Sequence, residues 1–448
     1  MTSEQNEVAQ ELERRKALRK KREEERRKAE QERRSLLLRL AGAGVVLLAV
    51  AVLILQFVTR DPVIPETQPP QDTQIQTQPT EPAHQATDDT TATTPAQDLT
   101  VIHIAAAGDL NVTDQMVNGA LGLYGYDFTN AFLDVAPVLS QADLTVLNYE
   151  GTFGSTTYGS ETGAAPLQLA QAMAAIGIDA VQTANSASIR SGVLGLQSTI
   201  QALKSAGIEP IGTFADSSSF RSAGGYTIME VQGLRIALVA FTKGMDNLGL
   251  PEGSADCVNL LYTDYTTTYD KIDTNGIKKV LRNVAEEQPD LTIAMLHWGS
   301  EYNETVSASQ KKIRNLMLEN GVDIILGSHS HLLKGVEHDT QNNTLVAWSL
   351  GDFYGDAKQP GSNYSIVLDI EVTRDNATGV TTITGFSYTP IYTVQPDESL
   401  AGGQRVVRLE AAMARYEGNY LGKVTSGVYS SMEYALKRIS QRVAETVG

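Results

Sequence analysis

Cysteine is nearly absent from this chain of 448 residues: Cys257 stands alone. That excludes an intrachain disulfide and any cysteine-based zinc site. Basic residues are scarce beyond the N-terminus. Residues 1–39 hold 13 of the 36 Lys and Arg but only 9 of the 53 Asp and Glu. The remainder carries 23 basic and 44 acidic side chains, a net charge of −21. A part that acidic is a poor non-specific binder of nucleic acid, so no nucleic-acid partner is expected. A polyanionic substrate would need metal ions or a local basic pocket. The chain also lacks an internal repeat. Histidine is rare, six in all, yet His297, His329 and His331 fall in one short stretch.

That stretch, 291–337, contains LTIAMLHWGSEY, a polar helix-like run, and VDIILGSHSHLLKGVE. Its apolar runs 291–296 and 323–326 predict buried strands, and each is followed by histidine. Open α/β sheets deliver functional side chains at the carboxyl ends of their strands. The alternation in Gly-Ser-His-Ser-His places two imidazoles on one side of an extended segment. Neutral imidazole is the commonest protein metal ligand, so a metal or phosphate site is expected; three hydrogen-bonded loop histidines are the alternative.

Residues 1–35 are charged nearly throughout, with pairs such as Glu24–Lys28 that support a solvated helix. Residues 41–58 carry no charge and, with the leucines at 36–38 and 40, reach the ~20 residues that cross a bilayer. No small-residue cleavage site follows, so 36–58 is expected to be an uncleaved transmembrane helix. Only Arg60 is basic between it and residue 100, which predicts a cytoplasmic N-terminus and a C-terminal domain outside the cell membrane. Residues 59–98, rich in Pro, Thr and Gln, lack the apolar content for a core and predict a disordered stalk.

From residue 99 strands alternate with helices, which predicts an α/β domain with mixed sheets over 99–395 and a helical extension over 396–448. The predicted strand ends collect Asp109, Glu150, Asn185, His297, His329 and His331. Such mixed oxygen and nitrogen ligands suit a divalent transition metal, Mn, Fe or Zn, better than calcium. A bridging carboxylate there could hold two ions ~3.5–4 Å apart.

The order Gly-Asp, Asn-x-Glu-Gly, Ala-Asn, His-Trp-Gly-x-Glu-Tyr, Gly-x-His-x-His and Ser-Leu-Gly-Asp-Phe (349–353) resembles the CapA family, whose named members serve poly-γ-glutamate capsule synthesis. The resemblance covers about 100–395. It implies an outlying branch of the calcineurin-like metallophosphoesterases, a four-layer α-β-β-α sandwich. It also implies that Asp109 and His331 bind a first ion, that Glu150 stands where a bridging Asp stands in the phosphoesterases, and that Asn185, His297 and His329 bind a second. Trp298 and Glu301 match the motif as packing and support. Asp352 stands where the family usually has Asn. Lys334 is open between a contact to phosphate or carboxylate and a plain surface lysine.

Two departures bear on activity. Ser186 replaces the histidine that protonates the leaving oxygen in phosphoesterases, and Leu110-Asn111 follows Asp109 where a nearby histidine is usual. Ser186 and His331 are therefore the candidates for proton traffic. The expected role is synthesis, export or attachment of an anionic surface polymer such as poly-γ-glutamate, alongside polymer-synthesis proteins of the membrane. The alternatives are a metal-dependent phosphoesterase acting on an envelope phosphate ester, and a binding domain without turnover.

Overall fold

The computed structural model describes residues 98–398, 403–414 and 425–445, all within one compact unit, Thr93–Gly448. The expected charged segment, transmembrane helix and stalk fall outside the described residues, save Asp98. Among the described residues no helix is long and apolar enough to cross a membrane.

The larger of two mixed sheets has eight strands. Its parallel half sets β1 (Leu99–Asn111), β4 (Leu144–Glu150), β5 (Ala180–Gln182) and β6 (Glu209–Ile211) side by side. From β1 the sheet continues antiparallel through β14 (Tyr364–Asp375), β15 (Thr381–Val394) and β16 (Arg405–Arg408). The short β13 (Asp352–Tyr354) pairs in parallel with the end of β1. The second sheet runs β11 (Val336–Asp339), β12 (Thr344–Ala347), β10 (Ile324–Ser328), β9 (Leu291–His297), β8 (Leu234–Thr242) and β7 (Thr227–Val231), with β12, β10, β9 and β8 parallel. A two-stranded ladder of β2 (Leu121–Gly122) and β3 (Gly125–Tyr126) stands apart.

Period-two alternation along these strands divides their side chains among three cores. Ile102 and Ile104 of β1 and Val146 of β4 face Ile236, Leu238, Ile293, Met295, Ile324 and Leu326 of the second sheet. On the outer face of the large sheet, Ala105, Leu147 and Val181 pack with Leu169 and Met173 of helix Gln168–Ala175 and Leu203 of helix Gly192–Ser205. On the other outer face, Val239, Leu296 and Ile325 meet Ile277, Val280 and Val284 of helix Thr274–Glu286 and Ile313 of helix Ala308–Leu318. The layers are helix, sheet, sheet, helix. Each fully buried Ile, Leu or Val contributes about 1.5–3 kcal/mol.

One device recurs at the amino ends of the parallel strands. Asp143, Asp179, Asp290 and Asp323 accept hydrogen bonds from the N–H groups of His103, Thr145, Arg235 and Thr292 in the neighbouring strand, each at 2.8 Å. These bonds fix register at the end of the sheets remote from His297, His329 and His331.

The segment after 395, read as a helical extension, also supplies β16 before its helices Leu409–Ala414 and Ser426–Val443. Val406 and Val407 point to opposite faces, one into an outer core and one between the sheets. A four-residue strand is too short for that alternation to stand out. Met432, Ala435 and Ile439 of the last helix complete the core between the sheets.

Candidate metal centre

Because β1, β4 and β5 are parallel, as are β8, β9 and β10, their carboxyl ends gather side chains at one edge of each sheet. Asp109 comes from the end of β1, Asn148 and Glu150 from β4, Asn185 and Ser186 from the turn after β5, and His297 from β9. His329 and His331 follow β10, and Asp352 opens β13. All are buried. Gly108 permits the closest approach. A Cβ there would stand 1.8 Å from the carbonyl oxygen of Gly351, the atom that accepts the Asp109 N–H at 2.8 Å. Asp109 and Asp352 are thereby paired across the ladder.

Ligand atoms of Glu150, His297 and His329 all lie within 4.8 Å of one another, and so do those of Asp109, Glu150 and His331. Glu150 belongs to both groups. The donors fit two divalent ions with a shared carboxylate. Within these two groups, Oε2 of Glu150 and Nδ1 of His329 are buried without a hydrogen-bond partner. A buried polar atom left unpaired costs about 1–3 kcal/mol, a cost that a bound ion would remove.

The remaining bonds orient these ligands. Asn148 Nδ2 donates to Asp109 Oδ1 at 2.7 Å, and the His329 N–H donates to Asp109 Oδ2 at 3.0 Å. His331 Nδ1 lies 2.8 Å from Asp352 Oδ1 and 3.7 Å from Asp109 Oδ2. Asn111 Nδ2 donates to Asp352 Oδ1 at 2.9 Å. His297 Nε2 lies 2.9 Å from Ser186 Oγ and 3.7 Å from Glu150 Oε1. His329 and His331 hold φ of 87° and 57°, a conformation costing ~1–3 kcal/mol per residue and tolerated where surrounding contacts fix it.

Burial pushes the Asp109 carboxyl up to about 8, with the nearby Glu150 and Asp352 adding to the shift. Burial raises Glu150 and Asp352 as well. Burial opposes charge on His331, but Asp352, Glu150 and Asp109 outweigh it and hold the imidazolium up to about 11. Burial keeps His297 and His329 neutral, the ligating form. Three buried carboxyl groups around one imidazolium thus resist ionisation in the ion-free site, a resistance that a bound cation would lift.

Asn185 does not offer itself as a ligand here. Its Nδ2 donates to Asn148 Oδ1 at 2.9 Å and to the Tyr149 carbonyl at 2.7 Å, and its Oδ1 accepts the Ala187 N–H at 3.0 Å. It braces the turn that carries Ser186. Asn148, Asn111 and Asp352 take larger parts than their positions in the sequence indicated. Asn148 sits two residues before Glu150, on the same face of β4, and that spacing was the signal for it. Trp298 packs against Trp348, ring centroids 5.5 Å apart. Lys334 is neither a surface lysine nor a contact of the cluster. It is 2% exposed, donates to the Thr305 carbonyl at 3.2 Å, and burial holds its ammonium down to about 8.

A cleft of about 320 Å³ opens over Ser186 and His329, walled by Lys243, Asp246, Tyr269 and Glu301. A larger groove, about 740 Å³, lies between helices Gln168–Ala175 and Gly192–Ser205 and includes none of the ligands.

The model of the family described as "Bacterial capsule synthesis protein PGA_cap" matches residues 103–357, more than half of the chain and every residue of the cluster. The chain belongs to this family. The capsule biosynthesis protein CapA of Bacillus anthracis is 24% identical over 267 residues, 57% of this chain and 60% of that protein. The PGA biosynthesis protein CapA of Bacillus subtilis (strain 168) is 31% identical over 107 residues, 24% of this chain and 26% of that protein. This family member thus spans less than two thirds of the curated relatives it matches. Among solved structures, the calcineurin-like phosphoesterase YfkN of Bacillus subtilis is 14% identical with a TM-score of 0.39, covering 76% of this chain and 98% of that chain.

Proposed function

We propose that this capsule-synthesis family member carries a two-ion centre of Mn, Fe or Zn that takes hold of an anionic surface polymer, such as poly-γ-glutamate, outside the cell membrane. The observation that carries the reading is the place of Glu150 in both ligand groups. Asp109 and His331 would hold one ion, His297 and His329 the other. When bound, the ions supply Lewis-acid polarisation of a carboxylate or phosphate oxygen. They also answer the charge problem, because a chain with net −17 repels a polyanion unless local positive charge is added.

Holding and orienting is favoured over rapid cleavage by Ser186. The position that carries a histidine acid in phosphoesterases has a hydroxyl, and that hydroxyl is bound to His297. A slow phosphoesterase acting on an envelope phosphate ester is the second reading, supported by the same ligand set. Anchoring through residues 36–58, with polymer-synthesis proteins as neighbours in the membrane, completes the proposal.

Elemental analysis of the purified full-length chain tests the centre, with His297→Ala and His331→Ala as controls. Two ions in wild type and loss in each variant support it; wild type that takes up no Mn²⁺, Fe²⁺ or Zn²⁺ overturns it. Binding of poly-γ-glutamate against hydrolysis of an aryl phosphodiester, both in Mn²⁺, separates the two readings.

A further inference from the structure

Among the described residues, Tyr302 is the one tyrosine, tryptophan or phenylalanine stacked on a candidate ligand. Its ring lies 5.2 Å from that of His331, with 27° between the planes, yet the residue is 43% exposed. Its backbone is held in the left-handed region, φ 52°, which a tyrosine rarely adopts. Its N–H donates to the Ser330 carbonyl at 2.9 Å, between the two histidines that follow β10.

The loop that carries it is fastened on its far side. Buried Lys334 donates to the Thr305 carbonyl, and Glu304 pairs with Arg442 and, at 3.8 Å, with Arg438, both from the last helix. Three cationic side chains thus fasten the loop while its tyrosine ring stacks on a ligand. A tyrosine phenol is protonated at ordinary pH, so Tyr302 offers a neutral donor. Among the protic side chains of the cleft over Ser186 and His329, Ser186 is engaged with His297, Lys243 Nζ with the Gly299 carbonyl and the Tyr269 hydroxyl with Asn247.

We propose that Tyr302 is a substrate-contacting residue whose hydroxyl donates a hydrogen bond to an oxyanion, phosphate or carboxylate, held at the centre. The inference rests on the two-ion reading above. A hydrogen bond to a charged partner that is lost on binding lowers affinity about tenfold or more. Tyr302→Phe keeps the ring over His331 and removes only the donor.

The test uses the full-length chain loaded with Mn²⁺ and measures three quantities: metal content, unfolding temperature, and affinity for inorganic phosphate and for glutarate. Tyr302→Phe is expected to match wild type in the first two and to lose about tenfold or more in affinity for one or both anions. The anion that is lost identifies the source of the oxyanion. Unchanged affinity for both, or no anion binding by metal-loaded wild type, overturns the proposal while leaving the centre intact. Wild type without metal overturns the two-ion reading first, and this inference with it.

Discussion

Ser186 Oγ stands 2.9 Å from Nε2 of His297, so the residue proposed to stand in the proton donor's place is also bonded to a candidate ligand. A serine hydroxyl is a very weak acid, and a positioned general acid contributes ~10²–10⁴-fold. Any phosphodiester turnover should therefore be slow with alkyl leaving groups and less impaired with activated aryl ones. Ser186→His, with the cleft above to receive the ring, should raise the alkyl rate more than the aryl rate. Ordinary enzymatic rates on alkyl diesters by wild type would show that another group supplies the proton.

Much of this site was legible because its ligands sit at strand ends, where short apolar runs stop abruptly. His297, His329, His331, Asp109 and Glu150 converge as that pattern implied. Asn185 could not be judged so, because an amide has two different faces and only the folded turn decides which one it presents. Lys334 was left open between two readings and fits neither, because the last helix, whose Arg442 acts on it, comes more than 90 residues later in the chain. Helix Thr274–Glu286 had a readable stripe in Ile277, Val280, Leu281 and Val284, with Asp273 as its cap. β13 was hidden by its length of three residues.

The aspartates that tie the strand starts give a pH prediction remote from the cluster. Burial pushes Asp323 up to about 6, outweighing the N–H of Thr292 that pulls it down. A carboxyl raised in the fold contributes stability that is complete below its ordinary value near 3.8 and is lost as pH rises through about 6. Asp323→Asn keeps an acceptor for Thr292 and never ionises. In thermal unfolding at pH 7.5 the variant should exceed wild type by about 2 °C or more, and the two should converge near pH 4. A variant less stable than wild type at pH 7.5 would contradict this.

The orientation expected from the charge flanking residues 41–58 is tested on intact cells. Added protease should digest the part beyond residue 60 and spare the N-terminal segment. Protection of the C-terminal domain until the cells are lysed would reverse the assignment.

Glu150 gives the sharpest test of the centre because it alone serves both ligand groups. His331→Ala should weaken one ion and His297→Ala the other, whereas Glu150→Gln should weaken both. An ion present at 100 times its Kd stabilises the fold by about 2.7 kcal/mol, so each loss should appear in thermal unfolding with Mn²⁺ or Zn²⁺. Without metal the sign reverses. Burial raises the Glu150 carboxyl, so its charge disfavours the empty fold, and glutamine removes that charge while keeping one oxygen. Glu150→Gln should therefore unfold at or above the wild-type temperature in chelator and below it in excess metal. Curves that shift together under both conditions would mean that Glu150 supports the fold and bridges nothing.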